Sequence, residues 1–148
     1  MNPAKRSMAG GRCLAVALAL GLSAGSAAAL AETGVRLELN RLEPQGDSCR
    51  AYLVIENGTG EPYKSLKLDL FAFDTDGVIA KRLALEAGPL PARKTGVKLF
   101  DFTGLSCERF SRVLLNDVVS CETAGGVRTD CLAAIATASK TGRVTFDK

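Results

Sequence analysis

The run Tyr52-Leu53-Val54-Ile55-Glu56-Asn57-Gly58-Thr59-Gly60, with Leu66-Lys67-Leu68-Asp69-Leu70-Phe71-Ala72-Phe73-Asp74-Thr75-Asp76-Gly77 after it, decides the fold. Side chains alternate with a period of two, and Asn, Gly and Asp punctuate the ends, as in half-buried strands joined by turns. Cys49, Ala51, Leu53 and Ile55 fall on one face of the first run; Arg50, Tyr52, Val54 and Glu56 fall on the other. In the second, Leu66, Leu68, Leu70 and Ala72 share a face, opposite Lys67, Asp69, Phe71 and Phe73, and Lys64, Lys67 and Asp69 would protect an edge there by charge.

The same grammar continues on both sides. Residues 35–40 alternate strictly, and further strands are predicted over 78–85, 96–102 and 112–121. Residues 43–48, 57–62 and 86–95 read as loops, the last broken by Gly88, Pro89 and Pro91. Residues 131–139 are Ala-rich, which favours a helix. Ile135 and Thr137 in a hairpin context instead predict a strand paired with 112–121, and Arg143 to Phe146 follows a turn. About seven short strands at near-regular spacing predict an all-β, immunoglobulin-like β-sandwich over residues 32–148.

Residues 1–31 read as a secretory signal peptide. Residues 1–12 are basic, 13–22 are apolar, and Ala29-Leu30-Ala31 fits the small-x-small cleavage rule, with Glu32 as the first mature residue. Cleavage after Ala29 is the near alternative. A retained anchor is the rival, because the uncharged stretch from Cys13 to Ala31 is just long enough to span a bilayer. Its Ala-rich style suggests a bacterial export substrate. No other run is long and apolar enough to cross.

The formal charge of +3 comes from this segment. Lys5, Arg6 and Arg12 are three of the nineteen bases, and sixteen bases against sixteen acids remain after it. A neutral mature chain is a poor match for phosphate binding by counterion release. Aromatics are 5% and Trp is absent, too few for base-stacking platforms. Nucleic acid is therefore not an expected partner. Histidine is absent, which removes the Ser-His-Asp and Cys-His nucleophile arrangements.

Few residues point to chemistry. Asp74-Thr75-Asp76-Gly77 matches the opening of an EF-hand ligand run, but the later ligands are missing, so a hairpin turn is expected and calcium at Asp74 and Asp76 is the alternative. Asp69, Asp74, Asp76 and Asp101 would serve a carboxylate-dependent hydrolase if they clustered. Asn57-Gly58-Thr59 is an N-glycosylation sequon that reads better as a polar turn. Phe71 and Phe73 end the outer face of their strand, either running under cover or forming a patch kept for a partner. Arg93 and Lys94 are a basic pair suited to an acidic partner.

The run from Tyr52 to Asn57, then Phe71-Ala72-Phe73-Asp74-Thr75-Asp76-Gly77, then Leu90-Pro91-Ala92-Arg93-Lys94 before an aromatic-bearing strand, resembles the FxLYD-type modules. These are small immunoglobulin-like domains of bacterial extracytoplasmic proteins. Phe71-Ala72-Phe73-Asp74 stands where the family has Phe-x-Leu-Tyr-Asp, one residue shorter and without the Tyr. The resemblance implies a fold class and a cell-envelope setting, and it carries over no catalytic residue.

Four cysteines, Cys49, Cys107, Cys121 and Cys131, would remain in the mature chain. An even count in a small secreted domain implies two disulfides with three possible connectivities. In an immunoglobulin-like order the second and sixth strands run the same way in facing sheets. Cys49 begins the second and Cys107 precedes the sixth; Cys121 ends the sixth and Cys131 begins its expected partner. The expected bridges are Cys49–Cys107 and Cys121–Cys131. A zinc site is the rival, although no C-x-x-C pair occurs. No cofactor is assigned, and the chain reads as a non-catalytic interaction or structural module working with an envelope protein.

Overall fold

In the computed structural model, which describes residues 34–148, nine strands form two facing sheets. They are β1 (Val35–Gln45), β2 (Ser48–Asn57), β3 (Tyr63–Asp74), β4 (Ile79–Glu86), β5 (Thr95–Phe102), β6 (Phe110–Thr123), β7 (Gly126–Val127), β8 (Ile135–Ser139) and β9 (Thr145–Asp147). One sheet has the order β5-β2-β1-β8; the other has β4-β3-β6-β7, with β9 also on β6. This is the expected β-sandwich. The signal peptide and its cleavage site lie outside the described residues.

The inward faces are those that the alternation marks. Leu37 and Leu39 of β1, Leu53 and Ile55 of β2, and Leu66, Leu68 and Leu70 of β3 are fully buried between the sheets. Each such side chain contributes roughly 1.5–3 kcal/mol relative to exposure. Phe102 packs edge-on against Phe110, with centroids 4.7 Å apart, and so joins β5 to β6 across the core. Cys49 bonds Cys107 and Cys121 bonds Cys131, as expected, leaving none of the four as a thiol for zinc. Two disulfides in so small a domain belong to an oxidising, extracytoplasmic compartment. No helix among the described residues is long and apolar enough to cross a membrane.

Three local expectations are corrected. β1 runs on to Gln45 and turns tightly through Gly46, whose φ is 59°. The strand tolerates Pro44 because β8 covers β1 only from Val35 to Leu39, so the missing N–H lies on a stretch with a free side. β3 is interior, between β4 and β6, and its Lys67 and Asp69 guard no edge.

Within residues 131–139, Ile135–Ser139 form a strand, with a different partner from the one expected. The expected hairpin with β6 does not form, because β7 takes one end of that side of β6 and β9 pairs parallel along Arg112 to Leu114 at the other. Residues 131–134 turn instead, and β8 pairs parallel with β1 from Val35↔Ile135 to Leu39↔Ser139. Gly34 permits that approach: a Cβ there would stand 2.2 Å from the Ala134 carbonyl oxygen.

Asn57 joins the loops at one end. Its side chain is buried. Its Oδ1 accepts from the Thr59 N–H at 3.0 Å and the Thr59 hydroxyl at 2.7 Å. Its Nδ2 donates to the carbonyls of Glu61 (2.9 Å) and Pro91 (3.1 Å), with a longer contact to that of Leu90. The amide is a structural hub, with no face turned out for a glycan.

Asn57→Ala is expected to cost about 2–4 kcal/mol in denaturant unfolding, since it strands several buried polar groups at once. A loss below about 1 kcal/mol would mean that water replaces the amide. Replacing the Cys49–Cys107 bridge, which closes the longer loop, is expected to cost about 4 kcal/mol against about 3 for Cys121–Cys131. The reverse order would show a denatured state already constrained over the long loop.

Candidate functional site

The strand edges differ in how they are defended. Unpaired edges invite other chains, and proteins blunt them with charge, bulges or short length. β4 carries the exposed Lys81 and Arg82, with a register shift against β3 at Ala72/Phe73. β6 has register shifts against β3 and is covered at both ends by β7 and β9. β8 is only five residues long, and the Lys148 amine donates to its Ile135 carbonyl.

β5 is different. It pairs with β2 over eight residues without a register shift, and no strand lies on its other side. The Asn57 N–H bonds the Lys94 carbonyl at 2.9 Å. By the alternation of an antiparallel ladder, residues 96, 98, 100 and 102 then pair with β2, and the N–H and C=O groups of Thr95, Val97, Leu99 and Asp101 face outward. Val97 and Leu99 are also 55% and 52% exposed, large values for apolar side chains.

A cleft of about 280 Å³ opens along this edge. Ile55 is at its floor, the Pro89-Leu90-Pro91 segment forms a wall, and Lys94 and Lys98 stand at its rim. The wall is fixed by polar clamps. Leu90 exchanges both backbone bonds with Tyr63, at 2.8 and 2.9 Å. Glu86 Oε1 accepts from the N–H groups of Leu66 (2.8 Å) and Gly88 (2.9 Å), and Oε2 accepts from Ser65. Desolvation pushes the Glu86 carboxyl up, but the two backbone bonds, the Ser65 hydroxyl and the charge of Lys98 together outweigh it and hold the group below its ordinary range.

The sequence-marked residues fall on several surfaces. Phe71 and Phe73 lie on the outer face of the other sheet, half-buried, with the Arg82 guanidinium 5.4 Å over Phe71 and that of Arg112 5.2 Å over Phe73. Arg93 has a φ of 55° and donates to the Gly58 carbonyl at 2.8 Å, so it ties two loops together. Lys94 is exposed beside the cleft. Asp74 Oδ1 accepts the N–H groups of Asp76 and Val78 and shapes the turn.

The four aspartates are not brought together. Asp101 pairs with Arg50 on the outer face of the β5 sheet, while Asp69 lies on the outer side of β3 in the facing sheet, held by Arg82 at 2.7 Å and Asn116 at 3.0 Å. Among the described residues no three His, Cys, Asp or Glu side chains are placed to hold a metal ion. Gly96 and Lys98, both at the cleft, drew no attention in the sequence. The available signal was a glycine and a lysine on the inward face of a strand otherwise carrying Phe100 and Phe102 there.

Neither a protein-family model nor a curated protein matches the chain. Its fold is similar to the solved structure described as the structural characterization of IrmA from Escherichia coli, at 15% identity and a TM-score of 0.53, over 70% of this chain and 90% of that one. At that identity the likeness concerns the fold alone.

Asp69 makes a pH prediction. The Arg82 hydrogen bonds lower its pKa, burial opposes them, and Asn116 adds to the lowering. A folded pKa below the unfolded one gives stability that is present above about pH 4 and lost as pH falls through the folded value. Asp69→Asn is expected to cost about 1–2 kcal/mol at pH 7 and to flatten the acid limb of stability against pH. Parallel acid limbs in the variant and the native protein would show that this pair contributes nothing.

Proposed function

We propose that this chain is a periplasmic, non-catalytic interaction module of the bacterial cell envelope, which takes up an extended segment of a partner protein along β5. The observation that carries the reading is the bare β5 edge, eight residues without a register shift, with Val97 and Leu99 exposed and a cleft beside it. Strand addition needs such a row of free backbone groups for affinity and a neighbouring pocket for selectivity. The export signal read in residues 1–31, the two disulfides and the resemblance to FxLYD-type modules support the envelope setting.

Proline at position 97 is the test. The Val97 N–H faces away from β2, so Val97→Pro removes an edge donor and leaves the β2–β5 ladder intact. A tagged copy crosslinked in intact bacterial cells is expected to give a reproducible envelope partner that is lost in Val97→Pro, with the melting temperature nearly unchanged. A partner kept by Val97→Pro but lost when Phe71 and Phe73 are changed to Ser would move the interaction to the opposite sheet and overturn the reading.

A further inference from the structure

We infer that the β5 edge selects a partner strand carrying an acidic and an apolar side chain two residues apart on one face, the acid opposite Lys98 and the apolar group opposite Gly96. This rests on the reading of β5 as the docking edge and adds the chemistry of the occupant.

The first observation is Gly96. A glycine in a strand weakens it and marks a bulge, a bend or a close approach. No register shift occurs between β2 and β5. Gly96 is not among the glycines with positive φ, and a Cβ built on it would meet nothing within 4 Å. Nothing inside the domain requires glycine there. The space that its side chain would occupy is part of the cleft over Ile55, and a residue added opposite it can send an apolar side chain into that space.

The second observation is Lys98, two residues along on the same inward face. Its Nζ donates to the Gly88 carbonyl at 3.2 Å, which uses one of its three protons. Lys98 acts through space on the Glu86 carboxylate, but neither Lys94 nor Lys98 forms an ion pair among the described residues, and no carboxylate lines the cleft. Lys98 also sits at a position whose backbone groups point to β2. An incoming strand would meet it in the non-hydrogen-bonded pairing, where side chains approach most closely. An apolar residue there would desolvate the ammonium without compensation, whereas a carboxylate would pair with it. A second copy pairing antiparallel about its own Lys98 would set two ammonium groups side by side.

The test uses ten-residue probe peptides of alternating Thr and Val, each with a Leu for the Gly96 position and either Glu or Lys two residues away, in both chain orders. They are titrated into the ¹⁵N-labelled mature protein. Shifts in the amides of Thr95, Val97, Leu99 and Asp101 are expected, with the Glu probe binding at least ten-fold tighter than the Lys probe. Lys98→Glu is expected to invert that order, and Gly96→Val to abolish binding while leaving the melting temperature equal or higher. Equal binding of the two probes, shifts confined to another surface, or no shift at millimolar probe would overturn the inference. So would concentration-dependent dimerisation through β5, which would assign the edge to a second copy. If the inference fails while the crosslinked partner remains sensitive to Val97→Pro, the edge is right and its selectivity is wrong. If that partner ignores Val97→Pro, the docking edge itself is wrong.

Discussion

The buried amide of Asn57 is the constraint on which this end of the sandwich depends. It stands where β2 ends, where the turn into β3 begins, and where the crossover from β4 to β5 passes. Its carbonyl oxygen holds Thr59, its amine holds the carbonyls of Glu61 and Pro91, and its own N–H makes the rung to Lys94. A buried amide without partners costs several kcal/mol, so the loops close in the arrangement that satisfies it. That arrangement sets Pro89, Leu90 and Pro91 beside Ile55. The Glu86 clamp then fixes the start of the crossover, and Gly88 is small because a Cβ would come within 3.0 Å of the Leu66 nitrogen. The cleft wall is therefore positioned by polar bonds whose geometry is directional, which apolar packing alone would not supply.

The interior was legible because it is written locally. A period of two with turn residues at the ends identifies the inward faces of β2 and β3 without reference to the rest of the chain. The Cys49–Cys107 bridge followed from strand ends that do meet, whereas Cys121–Cys131 forms although the hairpin that suggested it does not. The strand β8 was legible but its partner was not, since parallel pairing with β1 links positions 100 residues apart and depends on β9 having taken the side of β6 that a hairpin would use. The aromatic pair shows the same limit in a smaller form. Phe71 and Phe73 stand out as apolar groups on an outward face, but the arginines that cover them come from β4 and β6, and only the registers bring them there.

Gly96 and Lys98 are a different case. Both break the alternation of β5, and a broken pattern has no meaning until the strand is known to be an edge. In a central strand they would be defects, a missing side chain and a buried charge. On the edge they become a vacancy and a cation facing the position where another strand would lie.

An inward-facing lysine on an edge strand is also a standard defence against unwanted pairing, and Lys98 serves that role here. The two roles are the same physics. Lodging an ammonium against an apolar or basic neighbour removes its water and returns nothing, which rejects most strands, including a copy of β5 itself. A carboxylate opposite it removes that penalty, so the residue that excludes most strands also admits one kind. Specificity is a difference between affinities, and a group that repels the wrong partner raises it as surely as one that attracts the right partner. β6 is covered and β8 is short, and β4 adds a register shift to the charges of Lys81 and Arg82, so at those edges a partner's side chain cannot relieve the obstacle alone. At β5 the ladder has no register shift and the obstacle is a charge, which a complementary residue can answer.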